Sequence, residues 1–92
     1  MPYIEQFRRN ELNRQGAARI GEFCASVGEL NYVLTRICLS YLSHHHKCYA
    51  TMNEILGVLA AIGFEFYRRV AADYENEKIA ANGDVYPARG FE

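Results

Sequence analysis

Apolar residues recur at helical spacing in two long stretches of this chain. In the first, Leu30, Val33, Leu34, Ile37, Cys38 and Tyr41 line one stripe. In the second, Met52, Ile55, Leu56, Leu59, Ile62, Phe66 and Val70 form another, flanked by Tyr67 and Tyr74, with no proline before Pro87. Each stretch follows the spelling of a capping box, Ser26-Val-Gly-Glu29 and Thr51-Met-Asn-Glu54. In that motif a hydroxyl accepts from the backbone N–H three residues on, and the glutamate reaches back to the cap. The pattern predicts a helix over 27–42, a loop over 43–50 where Ser43-His-His-His-Lys-Cys has no apolar period, and a long helix over 52–81. Asn82-Gly83 supplies a stop, because both residues tolerate the backbone conformation that ends a helix. Residues 82–92 then read as an extended tail, with Tyr86 before Pro87 and Phe91 near its end.

The N-terminal segment, 1–25, is less periodic. Residues 17–25 suit a short helix with Ile20, Phe23 and Cys24 on one side, and 5–15 lean helical. The expected fold is therefore all-α and a single domain: one or more short N-terminal helices, then two long helices folded back as a hairpin. The second helix would be about 45 Å long, more than its shorter partner covers.

A second apolar face sharpens this expectation. On a helical wheel, Tyr32 and Leu39 fall opposite the first stripe, and Val58 and Phe64 fall outside the second. Burying one such side chain is worth roughly 1.5–3 kcal/mol, a large fraction of a small domain's stability. Packing as a helical homo-oligomer would cover these faces; folding of the N-terminal segment over them within one chain is the alternative.

Composition then excludes several classes. With 92 residues, half of them hydrophobic, 23% charged and a net charge of −1, the chain is neither disordered by composition nor a polyelectrolyte for coating nucleic acid. Lys and Arg number six against four acids over 1–47 and four against seven over 48–92, too mild an asymmetry for a phosphate-backbone binder. The interhelix loop is also too long for a compact helix-turn-helix. Cys24, Cys38 and Cys48 lack CxxC spacing, which suits reduced thiols in a cytoplasm. The longest apolar or glycine run, Ile55 to Phe64, is ten residues, too short to span a membrane.

Candidate chemistry is sparse. His44, His45 and His46 with Cys48 carry metal-binding groups, but adjacent residues point in different directions, so a polar loop is the favoured reading and no metal or cofactor is expected. No nucleophile elbow accompanies the cysteines and serines, and Glu65, Asp73, Glu75 and Glu77 read as a solvated helix face, so no enzymatic activity is expected. The remaining candidates pair arginine with aromatic rings. Tyr67 and Tyr74 are seven residues apart on one expected face, with Arg68 and Arg69 beside them; Tyr32 and Arg36 form an i,i+4 pair next to Asn31. Guanidinium groups grip phosphate, tyrosine rings stack on bases and Asn reads polar edges, which are the parts of a nucleotide pocket. The competing reading is that Glu65, Arg69 and Asp73, spaced i,i+4 in series, only form surface ion pairs.

The segments Glu29-Leu-Asn-Tyr-Val-Leu-Thr-Arg36, Glu65-Phe-Tyr-Arg-Arg-Val70 and Tyr74-Glu-Asn-Glu-Lys-Ile-Ala-Ala-Asn-Gly-Asp-Val-Tyr86, with the opening Met1-Pro-Tyr-Ile4, resemble a family of small uncharacterised phage and prophage proteins. The resemblance implies a bacterial host cytoplasm and an accessory role, and carries no activity with it. Small phage proteins often act by binding, either blocking a host defence protein or sequestering nucleotide signals. The resulting expectation is a non-catalytic homo-oligomer that sequesters a nucleotide-like anion in evasion of host defence, through Asn31, Tyr32, Arg36, Tyr67, Arg68, Arg69 and Tyr74. The alternative is a protein–protein interaction module that blocks a host defence protein or serves a phage structural or regulatory role.

Overall fold

The computed structural model describes residues 3–87. Every regular element among them is helical: α1 (Gln6–Arg14), a 3₁₀ turn (Ile20–Phe23), α2 (Val27–His44), α3 (Tyr49–Phe66), a π-helical turn (Tyr67–Ala71) and α4 (Ala72–Asn82). The all-α expectation therefore stands. The chain divides into two units, Met1–Leu56 and Gly57–Glu92, and α3 crosses the boundary.

In the first unit, α1 is a polar helix held by local pairs. Arg8 meets Glu11 at 3.2 Å, Gln6 donates to Asn10, and Arg9 Nε donates to the Ile4 carbonyl at 2.8 Å. It ends in a Schellman motif: the N–H of Ala17 donates to the Leu12 carbonyl and that of Gly16 to the Asn13 carbonyl. Gly16 sits at φ +108°, where a side chain would be strained. The helix expected over 17–25 is only the four-residue 3₁₀ turn Ile20–Phe23, where N–H groups donate three residues back, Glu22 to the Arg19 carbonyl and Cys24 to that of Gly21.

The start of α2 follows its sequence signal closely. Ser26 Oγ accepts from the Glu29 N–H at 3.1 Å, and the Glu29 carboxylate accepts in return from the N–H of Ala25, one residue before the cap, at 2.9 Å. The helix runs two residues further than expected, to His44, and His45 stacks on Tyr41 with ring centroids 4.0 Å apart.

Helix α3 begins earlier than the Thr51 capping box predicts. Cys48, not Thr51, is the cap: its carbonyl accepts from the Met52 N–H at 3.1 Å, and its thiol lies 3.5 Å from the Thr51 hydroxyl. Thr51 thus occupies the third helical position, with Tyr49 and Ala50 already wound into the first turn. The loop expected over 43–50 contracts to residues 45–48.

In the second unit, α3 passes without a break through the π-helical turn into α4, matching the continuous helix expected over 52–81. Asn82 closes it, the Gly83 N–H donating to the Ile79 carbonyl at 2.8 Å with Gly83 at φ +86°. Beyond it, Asp84 accepts from the Tyr86 N–H at 3.0 Å. Phe91, read as lying near the end of the tail, falls outside the described residues.

Among the described residues no hydrophobic side chain is buried; Thr51, at 7% exposure, is the one buried residue. Much of both stripes is exposed, including Leu30 and Ile37 on α2 and Leu56 and Ile62 on α3, while Val33, Cys38, Met52 and Ile55 are half-buried. No described helix is long and apolar enough to cross a membrane.

Candidate functional site

The polar chemistry of the second unit gathers at the π-helical turn. A π turn closes with i→i+5 hydrogen bonds, here seen as the Ala72 N–H donating to the Tyr67 carbonyl. It accommodates one more residue than an α turn, so the residues after it fall about 100° behind the wheel drawn for a regular helix.

That rotation decides which side chains meet. Over eight residues of regular α-helix, Tyr67 and Glu75 would be about 80° apart; the wide turn brings them to within about 20°. The Tyr67 hydroxyl accordingly donates to Glu75 Oε1 at 2.6 Å. The carboxylate accepts this proton and adds its negative charge, holding the Tyr67 hydroxyl above its ordinary value. The seven-residue spacing of Tyr67 and Tyr74, expected to set both on one face, no longer does so. Tyr74 instead has the Lys78 ammonium over its ring, 5.3 Å from the centroid.

The same rotation interrupts the expected Glu65–Arg69–Asp73 series. Arg69 Nε donates to Glu65 Oε2 at 3.0 Å and Arg68 Nη2 reaches the same oxygen at 3.1 Å. No ion pair joins Arg69 to Asp73 among the described residues. The Arg69 hydrogen bond, helped by the charges of both arginines, holds the Glu65 carboxyl below the usual carboxylate range against some desolvation. Each guanidinium uses one nitrogen on Glu65. Their other donors remain in water, with the side chains 68% and 61% exposed.

The residues expected on α2 lie in the first unit. Tyr32 and Arg36 are one turn apart on the same side of the helix, and Tyr32 is exposed. Asn31 is tied to Thr35, whose hydroxyl donates to the Asn31 carbonyl at 2.8 Å. The structure thus gathers Tyr67, Arg68 and Arg69 at one turn and sets Asn31, Tyr32 and Arg36 along one helix, while Tyr74 turns to Lys78.

Two local features escaped the sequence. No motif marks the π turn, and Cys48 is not among the usual hydroxyl or amide caps. The thiol is nonetheless lowered from its ordinary value, first by the Thr51 hydroxyl and then by the N–H groups of Thr51 and Ala50 at the start of α3; desolvation and the charge of Glu54 oppose them. In the histidine loop, His44 and His45 meet edge to face at 5.3 Å. Among the described residues no three His, Cys, Asp or Glu side chains converge as metal ligands would.

These observations define an all-helical protein with many exposed apolar side chains on its helices and an arginine pair on a widened turn. The chain belongs to the family of the domain of unknown function DUF6899, whose model matches residues 1–85. It has no match among curated proteins or among solved structures.

Proposed function

We propose that this chain is a non-catalytic binding protein that works as an assembly of its own copies and takes up a small anionic, nucleotide-like ligand. The observation that carries the reading is the geometry at Glu65. One carboxylate oxygen orients two neighbouring guanidinium groups while leaving most of their donors exposed, which suits a phosphate gripped from two sides. Tyr67 stands beside them as a ring for a base, and Arg36 with Asn31 and Tyr32 would come from α2.

Assembly is the second part of the proposal. Leu30 and Ile37 on α2 and Leu56 and Ile62 on α3 are about half exposed, and each would contribute roughly 1 kcal/mol if covered. Copies packed through these stripes, with the long helices folded back as hairpins, would create clefts between them. In a phage-infected bacterial cytoplasm such a protein would act by sequestering a nucleotide signal of host defence.

Calorimetry with cyclic and linear nucleotides tests the ligand. Stoichiometric binding that Arg68→Ala and Arg69→Ala weaken supports the reading, and no heat at high micromolar concentration overturns it. Sedimentation tests the assembly: a well-folded particle of 10.5 kDa at high concentration removes it.

A second reading rests on the outer side of α2, where Tyr32 is 64% and Leu39 48% exposed. Those side chains suit docking on another protein, such as a host defence protein. Capture of one stoichiometric partner, unchanged by Arg68→Ala, favours it.

A further inference from the structure

Two hollows formed by described residues of the first unit differ in what their cations are doing. The one of about 430 Å³ is lined by Tyr3, Ile4, Leu12, Asn13 and Ala17 with Arg9, whose Nε is already given to the Ile4 carbonyl. The other, of about 350 Å³, lies along the last turns of α2 and the loop after it. It is lined by Arg36, Leu39, Ser40, Leu42, Ser43 and Lys47. Among the described residues neither the Arg36 nor the Lys47 side chain has an ion pair or hydrogen bond. Two full positive charges therefore border a concave surface with no carboxylate to neutralise them.

Three further properties fit this hollow to an anion. First, Ser40 and Ser43 donate their hydroxyls to the carbonyls of Ile37 and Ser40, at 3.0 and 3.3 Å. Helical carbonyls also accept from the N–H four residues on, so each hydroxyl can swing to a ligand without orphaning a backbone group. Second, the end of α2 contributes only about half a negative charge, less than the two cations supply. Third, Arg36, Leu39 and Ser43 lie on the side of α2 away from Leu30, Ile37 and Tyr41, with Ser40 at the edge of the stripe. Covering the apolar stripe with another copy would leave the Arg36, Leu39 and Ser43 side of the hollow open.

We propose that this hollow is a seat for the phosphate group of a small organic phosphate. Arg36 and Lys47 hold the phosphate oxygens, Ser40 and Ser43 donate to them, and the organic part lies on Leu39 and Leu42. The volume is in the range of small-ligand sites. The seat uses residues of one unit alone, does not need assembly, and involves neither Arg68 nor Arg69.

The test is an amide NMR titration of the full chain with inorganic phosphate and, separately, phenyl phosphate, at constant ionic strength. The expected result is saturable shifts at Ser40, Ser43 and Lys47, with phenyl phosphate binding more tightly. Arg36→Gln with Lys47→Gln should weaken binding by about tenfold or more, and Leu39→Ala should remove the advantage of the phenyl ester. Sedimentation with vesicles containing phosphatidic acid distinguishes a lipid source from a free ester: co-sedimentation lost in the double variant assigns the seat to a headgroup. Shifts that chloride reproduces, shifts unchanged in a double variant of wild-type helicity, or no saturation at millimolar ligand would each overturn the seat. Arg36 belongs to both readings, so Lys47→Gln and Leu39→Ala score the seat alone, Arg68→Ala and Arg69→Ala score the nucleotide reading alone, and the two proposals fail separately.

Discussion

The Tyr67 hydroxyl and the Glu75 carboxylate, eight residues apart in one helix, share a hydrogen bond of 2.6 Å. The bond spans the entire π-helical turn and ties the end of α3 to α4. A regular helix would not present these two groups to each other, so the bond and the wide turn support one another.

This pair predicts an alkaline signature. The acceptor carboxylate raises the Tyr67 hydroxyl above its ordinary value, so the bond's contribution is complete below that ordinary value and is lost as pH rises through the folded one. In a carbon-13 NMR titration of the tyrosine rings, Tyr67 should ionise at higher pH than in the Glu75→Gln variant. Coincident curves would refute the coupling.

Glu65 behaves in the opposite sense. Its carboxyl is held down first by the Arg69 hydrogen bond, so the ion pairs contribute above its ordinary value and are lost as pH falls through the lower, folded one. Glu65→Gln should leave thermal stability nearly unchanged, since exposed pairs are worth little. It should tighten binding of an anion to Arg68 and Arg69 by up to about fivefold by removing a competing carboxylate. Weaker binding would mean that Glu65 matters more as an aligning group than as a competitor.

At the start of α2, Ser26→Ala removes the acceptor for the Glu29 N–H. The expected loss is about 1 kcal/mol, read by urea unfolding. Faster hydrogen exchange at the Glu29 amide would locate the change at the cap.

Cys48 should be the most readily alkylated of the three thiols near neutral pH. Thr51 lowers its ionisation through both hydroxyl and backbone N–H, whereas Cys24 donates to the Ile20 carbonyl at 3.9 Å. Thr51→Val should slow iodoacetamide labelling of Cys48 without affecting Cys24 or Cys38. Equal rates at all three positions would contradict the capping geometry.

How far the sequence revealed this structure depended on which forces were local. The Ser26 cap and the Gly83 stop were legible because serine and glycine act within one turn of where they sit. Cys48 was not, since a thiol is a poor cap by type and Thr51 beside it carries the expected spelling. Gly16 went unread because its positive φ depends on the Schellman bonds of Leu12 and Asn13. The π turn was the costliest omission, for Tyr67 through Ala71 spell an ordinary helix. From that point on, wheel positions drawn from the sequence misplace Asp73 and Tyr74, and with them part of the expected site.

A helix with one surplus residue is also a helix that tolerates losing one. Deleting Val70 would let α3 and α4 join in regular register, with the side chains before and after the gap keeping their headings relative to one another. The Tyr67–Glu75 bond would then survive, because seven regular residues set the two side chains within the same angle of about 20°. That makes the surplus residue a place where the chain could shorten by one and keep its surface partners.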